Sequence, residues 1–190
     1  MFARLFAAFL ALFAKKPTIA DPLPTYTPTP EPVKRPTGKG AAIGGVAGAA
    51  TIAAIVAFIG PWEGRRYTAY QDIVGVWTIC EGHTKGVKAG DVATDAQCDE
   101  MAAQDVAEHN AGIRACITRP MPQNVEIAFT SLAFNAGVGA FCGSTALKRY
   151  NAGDDTGACD ALNMWVRAGG KVVKGLVNRR AAESALCKKD

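Results

Sequence analysis

The chain has 190 residues, of which 20% are charged and 8% aromatic, and its formal net charge is +4. This length suffices for one well-buried domain of about 100–150 residues plus extensions. The whole positive excess lies before residue 60, because the residues from Pro61 onward carry fifteen basic and fifteen acidic groups. A nucleic-acid-binding domain is expected to have a basic face of its own, so the composition argues against nucleic acid as a partner.

The first 40 residues predict two segments outside any folded core. Residues 1–16 are apolar up to Ala14 except for Arg4 and are too short for a membrane span of about 20 residues. We interpret them as an interfacial helix, with a signal-peptide core or a disordered tail as alternatives. Residues 17–40 carry seven prolines, and proline disfavours helix in the residue before it. They predict an extended, disordered linker.

Residues 41–60 contain no charge over twenty positions, a length that matches a membrane helix. Eight are alanine, four are glycine and none is leucine, so insertion into a bilayer is expected to be only marginal. Gly44 and Gly48 form a small-xxx-small face for close helix contacts. The alternative is a buried helix of a soluble domain, against which the glycines argue, since each costs about 1 kcal/mol in a soluble helix.

The orientation of this span follows from its flanks. Lys34, Arg35 and Lys39 precede it, whereas the residues directly after it mix Glu63 with two arginines. The positive-inside rule places the N-terminus in the cytoplasm and everything after residue 60 outside. All six cysteines lie after residue 60, and none forms a Cys-x-x-Cys pair. They predict three disulfides in an oxidising compartment, the periplasm, with reduced core thiols as the alternative.

Residues 61–190 predict the folded domain, an α+β fold that is mostly α with a small antiparallel sheet near its start. A short helix ends near Glu63, and residues 67–88 predict a β-sheet with tight turns. Thr94-Asp-Ala-Gln97 is a capping-box sequence that opens the next helix, with Met101, Val106, Asn110 and Ile113 on its inner face. Further helices are predicted at 123–136, 144–151, 155–166 and 176–187.

Glu63, Asp72 and Thr78 are separated by eight and five residues, with the first at a helix end and the others in the hairpin around Gly75. Glycosidic cleavage needs one carboxylic acid to protonate the leaving oxygen and a carboxylate on the other face of the sugar. Helix followed by hairpin is a geometry that lets two carboxyls face each other across a groove. The spacing by itself is a weak signal, because any chain of this length has many Glu and Asp pairs.

Several longer motifs accompany these residues, and together they closely resemble the glycoside hydrolase family 24 lysozymes of phages over about residues 61–187. The motifs are Trp62-Glu-Gly-Arg65, Tyr70-Gln-Asp-Ile-Val-Gly-Val-Trp-Thr-Ile-Cys80, Gly82-His-Thr84, Phe134-Asn-Ala-Gly137 and Gly175-Leu-Val-Asn-Arg-Arg180. The span upstream further resembles that of the signal-anchor-release endolysins of this family, in which it first tethers the inactive enzyme to the inner membrane and later leaves the bilayer.

The resemblance implies a lysozyme that cleaves the β-1,4 bond from N-acetylmuramic acid to N-acetylglucosamine in peptidoglycan. It implies Glu63 as general acid, and Asp72 and Thr78 as the residues that activate water, with inversion at the anomeric carbon. It also implies an ion pair of His83 with Asp105. Asn135 is expected to line the sugar groove, with helix-end capping as the alternative.

Arg179 is a candidate substrate contact, with surface salt bridges as the alternative for Arg179 and its neighbour Arg180. We predict disulfides Cys80–Cys98, which would tie the sheet to the following helix, Cys116–Cys142, and Cys159–Cys187, which would tie two C-terminal helices. No cofactor or metal is expected. We expect a monomer whose partners are peptidoglycan and the bacterial inner membrane, with release to the periplasm.

Two other classes of function remain open at this point. One is a non-catalytic peptidoglycan-binding module, against which the intact Glu63 and Asp72 argue. The other is a virion-associated or membrane-anchored protein that opens the wall for genome entry, an idea that the long proline-rich tail supports.

Overall fold

The computed structural model describes residues 47–72 and 74–189. The predictions for 1–16, 17–40 and 41–46 therefore lie outside the described residues. The helices are α1 (Ala49–Glu63), α2 (Asp95–Arg114), α3 (Gln123–Ala136), α4 (Val138–Cys142), α5 (Thr145–Asn151), α6 (Asp155–Ala161) and α7 (Lys174–Cys187), and the strands are β1 (Arg66–Gln71), β2 (Trp77–Cys80), β3 (Arg167–Ala168) and β4 (Lys171–Val172).

Helix α1 is where the structure differs most from the sequence-based prediction. The helix that ends at Glu63 begins at Ala49, so it runs through the predicted boundary at residue 60 and through Pro61. Ile52, Ile55, Val56 and Ile59 lie at helical spacing and pack against Val106, Ile127 and Phe134 of the domain. Gly48 is the N-cap and Gly60 lies within the helix.

No helix among residues 47–72 and 74–189 is long and apolar enough to cross a bilayer. Within the described part of the predicted span, residues 49–60 belong to α1, which packs on the domain.

Strands β1 and β2 form the predicted antiparallel hairpin, with Tyr70 opposite Thr78 and Gln71 opposite Trp77. Gly75 lies at the turn with a φ of +84°, a conformation that glycine adopts without steric cost. Helix α2 then begins with the predicted capping box, because Thr94 accepts from the backbone N–H of Gln97 and the Gln97 side chain accepts from the N–H of Thr94. The predicted inner face of α2 is buried: Met101, Val106, Asn110 and Ile113.

The main core lies around α3, whose residues Ala128, Phe129, Leu132 and Ala133 are fully buried. Helices α3 and α7 are packed against each other, and α5 and α6 close the core from the other side. The helix predicted over 155–166 is shorter, since α6 ends at Ala161 and a 3₁₀ turn follows (Leu162–Met164). Helix α4 and the two-residue hairpin of β3 and β4 were not predicted.

Three disulfides connect these elements: Cys80–Cys98, Cys116–Cys142 and Cys159–Cys187. They are the predicted pairs. The first joins the end of β2 to the first turn of α2, and the last joins α6 to the end of α7. Each therefore ties together elements that no short loop connects.

Candidate active site

Glu63 is the last residue of α1 and is followed by Gly64 at a φ of +70°. This left-handed residue ends the helix and directs the chain into β1. The Glu63 side chain is 20% exposed, and its Oε1 accepts a hydrogen bond of 2.5 Å from Nη1 of Arg179. A carboxylate near the surface is thus held from the interior side by a guanidinium.

Arg179 is almost fully buried, so the expectation of surface salt bridges for it is wrong. Its Nε donates to Glu183 Oε1 at 3.2 Å, and its Nη2 donates to the carbonyl oxygen of Ser131 at 3.1 Å. A buried guanidinium is stable only when its charge is paired and its N–H groups are bonded. Glu63 and Glu183 provide the balancing charge, and Ser131 of α3 accepts from Nη2 through its carbonyl and hydroxyl oxygens. Contact of Arg179 with substrate stays a prediction.

Arg180 and Glu183 form a second ion pair behind this one and are both fully buried. Burial lowers the pKa of Arg180 and raises the pKa of Glu183, while their mutual attraction opposes both shifts. Arg180 also donates to Asn135 Oδ1 at 2.6 Å. Asn135, predicted to line the groove or to cap a helix, therefore connects the end of α3 to α7 through its side-chain oxygen.

Asp72 lies where β1 leads into the hairpin turn. Its Oδ1 accepts from the backbone N–H groups of Val74 and Val76, both at 2.9 Å, and its own N–H donates to the carbonyl of Val76. These bonds within the turn are a reason for an aspartate at this position, since short acceptors stabilise such turns. They hold one carboxylate oxygen firmly.

Thr78 is buried on β2, and its hydroxyl donates to the carbonyl of Val76 at 3.1 Å. Because Thr78 is opposite Tyr70, and Asp72 is two residues beyond Tyr70, the side chains of Thr78 and Asp72 lie on the same face of the hairpin. The hairpin thus places two of the three predicted catalytic residues on one of its faces. Among the described residues no hydrogen bond or ion pair joins Glu63 to Asp72, so each carboxylate is held by its own part of the fold.

The His83–Asp105 contact is present: Nδ1 of the buried His83 lies 2.9 Å from Asp105 Oδ2. The other ring nitrogen of His83, Nε2, lies 3.1 Å from the carbonyl oxygen of Lys85. The hydrogen bond with Asp105 raises the pKa of His83 against the opposing effect of burial. The pair links the loop after β2 to α2.

One group of metal-ligand type comprises Cys80, Glu81 and Cys98. The two sulfurs form a disulfide, so this group offers no thiolate to a metal ion.

Ser131 and Glu183, which complete the surroundings of Arg179, were not predicted as site residues. The spacing of Arg179, Arg180 and Glu183 is the i, i+3 and i, i+4 pattern of helix ion pairs. That pattern was a usable signal for their pairing, but it also describes an exposed helix face. Only the packing of α7 on α3 shows that these charges are buried.

A comparison with protein families matches residues 60–183 to the family described as phage lysozyme. The SAR-endolysin of Enterobacteria phage P21 is 44% identical over 126 residues, which cover 66% of this chain and 76% of that protein. The SAR-endolysin of Pseudomonas phage phiKMV is 47% identical over 130 residues, with 66% and 80% covered. Among solved structures, P22 lysozyme superposes with a TM-score of 0.65 at 34% identity, covering 72% of this chain and 96% of that one.

Proposed function

The chain belongs to the phage lysozyme family, and from this premise we propose that it is an endolysin. It is a muramidase that hydrolyses the β-1,4 bond between N-acetylmuramic acid and N-acetylglucosamine in bacterial peptidoglycan. Its activity lyses the host cell and releases phage progeny. The observation that carries this proposal is the arrangement of two independently held carboxylates, Glu63 at the end of α1 and Asp72 in the hairpin.

In this reaction Glu63 is the general acid that protonates the leaving oxygen. Its Oε1 is engaged by Arg179, which leaves Oε2 to carry the proton toward substrate. A positioned acid is effective only within hydrogen-bond reach, about 3 Å. The buried contacts of Arg179 support a fixed location for this carboxyl.

Asp72 and Thr78 orient the attacking water, and the reaction inverts the anomeric carbon. One Asp72 oxygen is committed to two backbone N–H groups, and the other has no hydrogen-bond partner among the described residues. The Thr78 hydroxyl donates its hydrogen bond to the carbonyl of Val76, so its oxygen is left to accept a hydrogen bond from water. An inverting glycosidase needs such acceptors and room for a water between its carboxyls.

The membrane segment is part of the same proposal. Residues 41–60 hold the enzyme in the host inner membrane with the N-terminus in the cytoplasm, and release places it in the periplasm. The names of the two relatives as SAR-endolysins support this, and so does the large alanine content of the segment. Residues 61–190 then act as the catalytic domain, with α1 docked on it after release.

The test is to replace Glu63 with Gln and measure the clearing of purified peptidoglycan. We expect a loss of at least about a hundredfold, because an amide cannot donate the proton that a general acid supplies. The matched control is Glu108→Gln, which alters an exposed glutamate paired with Lys85 and should leave the rate unchanged. A Glu63→Gln protein that cleared peptidoglycan at the parental rate would overturn the assignment.

A further inference from the structure

Two residues beyond Glu63, the side chain of Arg65 contacts three carboxylates that belong to two other elements. We propose that Arg65 is a positioning residue for Glu63, and that Glu81, Asp95 and Asp99 form the site that captures it, here named the Arg65 receptacle. The inference rests on the proposed function, since it concerns the placement of the general acid in the same reaction.

All three nitrogens of the guanidinium are used in this contact. Nε donates to Glu81 Oε1 at 2.5 Å, Nη1 to Asp95 Oδ1 at 2.8 Å, and Nη2 to Asp99 Oδ1 at 2.6 Å. A planar group bonded along three directions is fixed in orientation as well as in position. The backbone of Arg65 is therefore tied to the end of β2 and to the first turns of α2.

The receptacle is built by the domain independently of α1. Glu81 directly follows Cys80, and Asp99 directly follows Cys98, so the Cys80–Cys98 disulfide joins the two stretches of backbone that carry these carboxylates. Asp95 is the first residue of α2 and lies within its capping box, and Tyr67 donates to its Oδ1 at 2.8 Å. The three acceptors are thus held by covalent and capping interactions.

The negative charges of the Arg65 receptacle are balanced by the Arg65 guanidinium. Three carboxylates surround one guanidinium, and they raise the pKa of Arg65 above its usual range. The Glu81 side chain is only 9% exposed, and its Oε2 is buried without a hydrogen-bond partner in the described part of the chain. A buried carboxylate that loses its cation strongly destabilises the folded protein. Arg65 is therefore needed to balance the buried charge of Glu81.

When the receptacle holds Arg65, it also restrains the position of Glu63, because only Gly64 separates the two residues. Gly64 has the left-handed φ of +70° and open space where a Cβ would be, so this link is conformationally permissive. With Arg65 held on one side and α1 docked on the other, the turn has little freedom. Without Arg65, the end of α1 is restrained by its own packing, by Arg179 at the tip of the Glu63 side chain and, beyond Gly64, by the pairing of Arg66 with Cys80 in the hairpin. A displacement of about 1 Å is enough to lower a rate by about a hundredfold.

The test compares kcat and KM on purified peptidoglycan for Arg65→Met, Arg65→Lys and the parent, at a temperature where circular dichroism shows each to be folded. We expect Arg65→Met to lower kcat about tenfold or more with KM within about twofold, since substrate binding is left intact. Arg65→Lys keeps the positive charge but lacks the planar guanidinium that bonds in three directions. Its kcat should therefore lie between those of the parent and Arg65→Met. Arg149→Met, which removes a half-exposed ion pair to Asp154, is the matched control and should retain the parental kcat.

A second pair of variants covers the case in which Arg65→Met fails to fold because Glu81 is left as a buried charge. Glu81→Gln removes that charge, and Arg65→Met in the Glu81→Gln background then reports the link to Asp95 and Asp99 alone. These two carboxylates are 74% and 65% exposed, and exposed ion pairs add little stability. A lower kcat in the double variant than in Glu81→Gln supports the proposal.

An equal kcat in that pair, or a parental kcat in folded Arg65→Met, would refute it. The Glu63→Gln measurement keeps this outcome separate from a failure of the proposed function. If Glu63→Gln is inactive while the Arg65 variants are fully active, only the positioning role is lost.

Discussion

At the scale of single residues, Arg179 connects catalysis to the stability of the fold. Its side chain is 4% exposed and touches Glu63 on one side and Glu183 on the other. A buried cation is tolerable because both carboxylates balance it. Glu63 therefore has two roles: it is the proposed general acid, and it balances the charge of the buried Arg179.

His83 offers a pH-dependent prediction at the same scale. Its two ring nitrogens face two acceptors, Asp105 and the carbonyl of Lys85, and only the protonated ring donates to both. The pKa of His83 is accordingly raised above its ordinary value near 6.5. Its contribution to stability is then fully present below the unfolded-state pKa and is lost as the pH rises through the folded-state pKa.

We therefore expect the difference in unfolding free energy between the protein and His83→Gln to be largest near pH 5.5 and to shrink toward pH 8.5. Urea denaturation at several pH values measures it. Asp105→Asn is the control, because it removes the hydrogen bond that raises the pKa and should flatten the dependence. A difference that grows with pH would contradict the assignment of a protonated His83.

At the scale of elements, the large side chains of α1 lie on the face that packs against the domain, and several of its alanines lie on the exposed face. Ile52, Ile55, Val56 and Ile59 face the domain, whereas the alanines at 49, 50, 53 and 57 are exposed. Alanine has the best intrinsic helix propensity and presents little apolar surface to water. A cavity of about 220 Å³ remains between α1 and the domain, lined in part by Ala57 and Gly60. The small residues thus leave the docking of α1 incomplete.

The prediction at this scale concerns Ile55, a fully buried residue of α1 that faces the domain. Ile55→Ala should lower the unfolding free energy by about 2–4 kcal/mol, because the lost contacts leave a cavity. It should also lower lytic activity, since α1 carries Glu63 at its end. Met164→Ala, at a residue that is 66% exposed, is the stability control and should change it by less than about 0.5 kcal/mol. A thermal midpoint equal to the parent's would show that the docking of α1 adds nothing.

At the scale of the whole molecule, one segment serves two proposed states. Residues 49–60 belong to the predicted membrane span and also to the helix that packs on the domain. A bilayer and the domain surface then compete for the same side chains, which is a two-state equilibrium. Because Pro61 and Trp62 alone separate the span from Glu63, insertion would draw the acid away from the hairpin that holds Asp72.

Leucine at the exposed alanines tests this competition. Ala49, Ala50 and Ala53 changed together to Leu should favour the inserted state by about 0.5 kcal/mol each, or roughly tenfold in total. Since all three side chains face away from the domain, the docked state is not disturbed. We expect more protein in the membrane fraction and delayed lysis, with serine at the same positions giving the opposite shift. Lysis on the parental schedule by the leucine variant would mean that the segment is only an export signal.

Signals within the sequence itself predicted a large part of this protein. The capping box at Thr94, the boundaries of α3, the hairpin turn at Gly75 and the three disulfide pairs are all found in the structure. The Glu63, Asp72 and Thr78 motif was likewise visible in the sequence. Such features depend on a residue's own conformational preferences and on partners within a turn, or on chemistry that is specific to one residue type.

Only the tertiary structure decided where the charges and α1 lie. Arg179 and Glu63 are 116 residues apart in the chain, and Arg65 and Asp99 are 34 apart, so no local pattern could show that they meet. The spacing of the charged side chains of α7 is equally typical of an exposed helix face, and only the packing of α3 against α7 shows that they are buried. The apolar segment of α1 is equally suited to lipid and to a protein surface, because hydrophobic burial is non-directional. The sequence determined which apolar side chains avoid water, and the fold decided what they pack against and which charged side chains are buried with them.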